Sequence, residues 1–334
     1  MSSIVDPLDR TTRAQQLLMV AVPLQDPGAG AELVGTDHVG GVFLQGRSNR
    51  GVSATAADVR ALQARARTPL LVSIDQEGGQ VQSLSGPGVP AVPSALVQGR
   101  DGEATLAAGT RAWSAALGEA GVTLNLAPVA DVVPAGTAAQ NPPIGAFQRE
   151  YGSDPAAVAA DVATVVTSSQ AAGVDTTAKH FPGLGRVRVN TDSGTGAVDD
   201  TTTAQDPALA PFRAAISAGT AAIMISLASY PALDANNLAV FSEKIITGLL
   251  RDTMGFGGLV VSDDLGAARA VASTSPAQRA VRFVRAGGDL VLTVQPTDVA
   301  PMTAALVVAQ QDPAFAARVE DAVARVATAK CSRA

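Results

Sequence analysis

Two segments hold the residues best suited to chemistry: KHFPGLGRVRVNTDSG, from Lys179 to Gly194, and GLVVSDDLG, from Gly258 to Gly266. The second is an apolar run that ends in a carboxylate pair, Asp263 and Asp264. The first sets Lys179 and His180 at the end of a β-rich run and continues into a polar loop. Two further runs end in the same manner, with Asp75 after LLVSI and Asp131 after LNLAPVA. A carboxylate at a strand end can attack an anomeric carbon and hold a glycosyl group covalently. Asp263 is the candidate for that role; capping the following helix is its alternative, which Asp264 can take over. Lys179 and His180 are candidate donors to substrate hydroxyls. His180 could equally be a hydrogen-bonded core histidine, and Lys179 a buried counter-ion to a carboxylate such as Asp131. Wet strand ends explain one or two polar residues. Four charged strand ends on one side of a fold point to a site.

The elements that must position these residues are legible as alternation. Short apolar runs occupy 17–23, 40–45, 69–75, 123–131, 175–181, 221–227, 258–264 and 289–294. Most are apolar throughout, as parallel strands buried on both faces are. Helix signals lie between them. Asp154 and Pro155 open a segment whose Val158, Val162 and Val165 share a face before Gly173. Asp206 and Pro207, Ser242, and Ser275 with Pro276 open three more. Eight strands alternating with helices predict an α/β fold, a single (β/α)8 TIM-type barrel spanning 1–334, with 301–329 as closing helices. Its strand ends would then meet at one mouth. A doubly wound sheet is the alternative, but DQEGGQ after the third run lacks the glycine spacing of a phosphate loop.

Composition narrows the classes. Of 334 residues, 47% are hydrophobic and only 3% aromatic, so the core rests on Ala, Val, Leu and Ile. The net charge is −6 and no Lys/Arg cluster could track a phosphate backbone, which argues against nucleic acid. One cysteine, Cys331, allows no intrachain disulfide and no thiolate cage. Two histidines, His38 and His180, argue against a histidine-rich metal centre. The segment MSSIVDPLDRTTR lacks the apolar region of a signal peptide as it stands, and the compartment stays open. The uncharged stretch 214–233 contains Ser217, Gly219, Thr220 and Pro231 and reads as a helix end, a turn and a strand rather than a membrane span.

DQEGG (75–79), APVADV (127–132), KHFPG (179–183) and SDDL (262–265) occur in the order found in the glycoside hydrolase family 3 β-N-acetylhexosaminidases, which the chain resembles over nearly its whole length. KHFPG followed by SDDL is the specific combination. The resemblance implies a TIM-type barrel, a retaining mechanism and release of N-acetylglucosamine from cell-wall fragments. By position it makes Asp263 the nucleophile. Asp75, Arg149, Lys179 and His180 would hold the terminal sugar, and Asp131 matches the aspartate of the fourth strand. A carbohydrate substrate, no cofactor, no metal and a monomer are the expectations.

The departures from that pattern matter equally. The family's acid/base histidine belongs to an Asp-Ser-His triplet that here reads Asp192, Ser193, Gly194. A second histidine is replaced by Leu184, an arginine by Ser83, and a histidine after the sixth strand by Leu227. His38 precedes the second strand and is a poor substitute. General acid–base help is worth roughly 10²–10⁴-fold in rate. Asp192 is the first candidate to supply it, and Glu150 from the neighbouring loop the second. Three readings follow: a retaining exo-glycosidase with an altered acid/base, a glycan-binding relative with impaired catalysis, and, more remotely, a Schiff-base barrel enzyme using Lys179.

Overall fold

A computed structural model describes residues 8–331. Most of the N-terminal segment read above for a signal peptide lies outside those residues. Eight parallel strands form the centre: β1 (Leu18–Pro23), β2 (Gly41–Gln45), β3 (Leu71–Ile74), β4 (Leu124–Asn125), β5 (Asp175–Phe181), β6 (Ala222–Ile225), β7 (Leu259–Ser262) and β8 (Val291–Thr293). Each pairs with its neighbours in chain order, and β1 pairs with both β2 and β8. A parallel bridge between Val261 and Leu290 joins β7 to the β8 side, so the sheet curls into a barrel rather than an open doubly wound layer. The strands are buried nearly throughout, as their unbroken apolar character requires.

Two strands depart from the predicted runs. The fourth run, 123–131, yields only Leu124–Asn125 as regular strand. Pro128 cannot donate to the ladder, and the chain continues through single bonds such as Ala130 N to Lys179 O at 2.6 Å. On β5 the register slips between Ala178 and Phe181: three steps on β5 oppose two on β6, from Ile223 to Ile225. This bulge falls on Lys179 and His180.

The helix signals act as read. Asp154 accepts from the amides of Ala156 and Ala157 at the start of Pro155–Ala171, whose Val158, Val162 and Val165 are buried. Asp206 caps a short turn, Pro207–Leu209, leading into Ala210–Ser217. Ser275 caps Pro276–Arg285, and the Ser242 hydroxyl accepts from Ile245 N before Lys244–Thr253. The closing segment is two helices, Val299–Ala309 and Pro313–Cys331. The stretch 214–233 breaks into a helix end, a turn at Gly219 and β6. Among the described residues no helix is long and apolar enough to cross a membrane.

The N-terminal end of the barrel is tied by charge. Asp289, which is fully buried, accepts from Arg251 at 2.6 Å, Arg318 at 2.5 Å and Val260 N at 2.8 Å. The opposite, C-terminal end is left open as a mouth.

Candidate active site

A cavity of about 470 Å³ opens at that mouth. Asp75, Lys179, His180 and Asp263 reach it from the ends of β3, β5 and β7, and Arg149 and Asp192 from loops. Residues that follow one another on a strand ordinarily point to opposite faces. The bulge on β5 changes that, and both Lys179 and His180 line the cavity. Asp131 does not line it. Its carboxylate is fully buried behind His180, 2.8 Å from Nδ1, and accepts from the amides of His180 and Leu184. With Nδ1 on Asp131, the other ring nitrogen, Nε2, faces Arg149 Nη2 at 3.5 Å.

One floor residue carries no signal of its own in the sequence: Glu77, in the middle of DQEGG. It is buried and binds Arg149 through two parallel bonds of 2.8 and 2.7 Å. It also receives Lys179 Nζ at 2.6 Å, and Asp75 receives the same ammonium at 2.6 Å. Two carboxylates and two cations thus form one neutral network. Burial alone would push the Glu77 carboxyl up, but Arg149 and Lys179 outweigh it and hold it at about 2. Burial likewise opposes the Lys179 ammonium, yet Asp75 and Glu77 raise its pKa above the ordinary value. A lysine held charged in this way is a hydrogen-bond donor and a poor Schiff-base amine. Gly78 makes the turn possible: its φ is 103°, and a Cβ there would stand 2.0 Å from Pro93 O.

Asp263 is partly buried at the other side of the cavity. Burial raises its carboxyl to about 6; the electrostatic influence of His180 opposes that shift and the charge of Asp192 adds to it. Asp264 is the capping carboxylate, accepting from Gly266, Ala267 and Val294 amides. That division leaves Asp263 turned to the cavity, with Asp264 N donating to its Oδ1 at 2.8 Å. Asp192 is exposed on a loop pinned by its backbone, with Arg269 N and Ala270 N donating to Asp192 O and Thr191 O at 3.1 Å. Two positions on, a Cβ added to Gly194 would stand 2.6 Å from Val189 Cγ1. The space a larger side chain would need is therefore filled by a valine.

Several sequence expectations sort by place. Glu150 is buried, is raised by that burial, has an unpartnered Oε2 and does not line the cavity. Leu184 and Ser83 line the cavity, whereas Leu227 is in the core. His38 lies ahead of β2, at the barrel's other end, where its carbonyl accepts from Gln16. Among the described residues no three His, Cys, Asp or Glu side chains gather as a metal cage.

Comparison with known proteins agrees with this fold. Residues 11–329 match the family model described as glycosyl hydrolase family 3 N terminal domain. A beta-hexosaminidase of Stenotrophomonas maltophilia is 35% identical over 274 residues, covering 78% of this chain and 77% of that protein. A beta-hexosaminidase of Vibrio cholerae is 34% identical over 280 residues, 81% of this chain and 82% of that protein. The crystal structure of a beta-N-acetylhexosaminidase from Beutenbergia cavernae superposes with a TM-score of 0.94 at 47% identity, covering 97% of this chain and 99% of that one.

Proposed function

The chain belongs to glycosyl hydrolase family 3 and is a glycoside hydrolase, and from that premise we propose that it is a retaining exo-glycosidase for terminal β-linked N-acetylglucosamine of cell-wall fragments. The observation that carries this reading is the convergence of Asp75, Arg149, Lys179, His180 and Asp263 on one cavity. In the proposed reaction Asp263 attacks the anomeric carbon and the glycosidic electron pair passes to the leaving oxygen. Asp192 gives that oxygen a proton, then takes one from the water that hydrolyses the glycosyl-enzyme. Lys179 and Asp75 hold hydroxyls at the far edge of the ring, with Arg149 and His180 beside them. Asp131 acts through His180 as a positioning residue, and Glu77 acts through Lys179 and Arg149 in the same way.

The valine-filled space at Gly194 favours a second reading, a glycan-binding relative whose catalysis is impaired. Aryl N-acetylglucosaminides with good and poor leaving groups separate the two. Turnover of both supports a working acid, turnover of the good one alone supports a nucleophile without an acid, and binding without turnover supports the second reading. Trapping by a fluorosugar should label Asp263; a label elsewhere, or none with a turned-over substrate, would remove it from the nucleophile's role.

A further inference from the structure

One charged side chain of the cavity has no task in the reading above. Asp75, Glu77, Arg149 and Lys179 neutralise one another, His180 is held by Asp131, and Asp264 caps backbone amides. Arg47 lines the same cavity from the loop that follows β2. Its Nη2 donates to Gln80 O at 2.6 Å, and among the described residues it makes no ion pair. Arg50, three positions on, is by contrast held by Asp58 at 2.6 Å. The Arg47 loop is fixed through its backbone. Gly46 turns the chain with a φ of 90°, Gln25 Nε2 donates to Arg47 O at 3.0 Å, and Ser48 N donates to Ser83 O at 2.9 Å. The guanidinium is therefore placed without being neutralised, and its remaining N–H groups are left to donate.

Register says where those donors stand. Leu44 on β2 pairs with Ile74 on β3, so Gln45 is level with Asp75 and Arg47 lies two residues nearer the open end. In an eight-stranded barrel β3 and β7 lie four strands apart, on opposite sides of the mouth. C1 and C4 are opposite corners of a pyranose. A ring with C1 over Asp263, after β7, points C4 at Asp75, after β3, with Arg47 on the rim above. We infer that Arg47 donates to the C4 hydroxyl of the terminal sugar while Asp75 accepts from it, which makes Arg47 a specificity-determining residue for a free C4 hydroxyl. A glycosylated C4 oxygen has no proton to give Asp75 and brings its substituent against Arg47, so the pair confines the site to a chain end. The inference rests on the glycosidase reading and deepens it, because nothing in that reading uses Arg47.

The test compares para-nitrophenyl β-N-acetylglucosaminide with its 4-deoxy analogue, on the unaltered protein and on Arg47→Ala. The variant should lower kcat/KM for the parent glycoside about 10–100-fold, the loss of a hydrogen bond from a charged donor, and change that for the 4-deoxy glycoside by less than about threefold. An equal loss on both substrates, or none on the parent, would overturn the assignment. Each comparison is a ratio of two substrates on one protein, so a smaller folded fraction in the variant cancels. If the unaltered protein turns over neither glycoside, the catalytic reading fails separately. Calorimetric titration with N-acetylglucosamine and 4-deoxy-N-acetylglucosamine then decides. Binding of the first that weakens about tenfold or more in Arg47→Ala, with the second unchanged, supports the contact. Equal weakening of both, no weakening, or no binding of N-acetylglucosamine to the unaltered protein overturns it.

Discussion

The two sides of the mouth are built on different principles. On the β3–β5 side, Asp75, Glu77, Arg149 and Lys179 neutralise one another at 2.6–2.8 Å, and Asp131 locks His180 from behind. Nearly every polar atom there has a partner before any sugar arrives. On the β5–β7 side, Asp192 is exposed, its loop is held through backbone bonds, and Asp263 has been pushed up by burial without a dedicated cation. The first side is preorganised for binding at a stability cost already met by pairing. The second keeps two acidic side chains uncompensated, which a proton-transfer and nucleophile pair requires. On the proposed reading, binding and proton transfer stand on separable parts of the molecule.

The largest test of this contrast is Glu77→Gln. Breaking a buried pair from one side leaves Lys179 and Arg149 undercompensated and should cost about 3–5 kcal/mol of stability in denaturant melts. Because the Glu77 pKa is depressed from 4.5 to about 2, its contribution is present above pH 4.5 and lost as pH falls towards 2. A neutral result in the melt would mean the network is not the anchor. Asp192→Ala probes the other side. Stability should change by no more than about 0.5 kcal/mol, as for an exposed residue, while turnover of a poor-leaving-group glycoside drops about 10²–10⁴-fold. Unchanged turnover of that substrate would exclude Asp192 as the proton donor.

Gly194→Ala comes next, expected at about 1–3 kcal/mol destabilising because its Cβ meets Val189. Val189→Ala in the same chain should recover most of that loss, and failure to do so would show that the valine does not own the space. Asp263→Asn tests the burial of the same side through stability. Folding raises this carboxyl from 3.8 to about 6, so the native protein loses stability as pH rises through that window. Removing the charge should raise stability at pH 7 by about 1–2 kcal/mol, discounted for the side chain's partial exposure, with no gain below pH 4. The same shift places the acid limb of kcat/KM for an activated glycoside near pH 6; a limb near pH 4 would contradict the burial argument.

How much was legible in the chain differs along its length. The eight apolar runs, the caps at Asp154, Asp206 and Ser275, and the gathering of Asp75, Lys179, His180 and Asp263 at strand ends all follow from local periodicity and capping chemistry. The proline at 128 shortens β4 in a way that the run 123–131 concealed, since an apolar run does not reveal a missing N–H.

What the sequence by itself determined is the barrel and most of the residues that reach its mouth, because the periods of strands and helices are written within a few neighbouring positions. Only the tertiary structure decided which of them touch. Asp75 meets Lys179 across 104 positions, and Arg149 meets Glu77 across 72. It also decided that one extra residue on β5 turns Lys179 and His180 to the same side, that Asp131 stands behind the site rather than in it, and that Val189 fills the space beside Gly194. These are consequences of register and close packing between distant segments, and no local pattern encodes them.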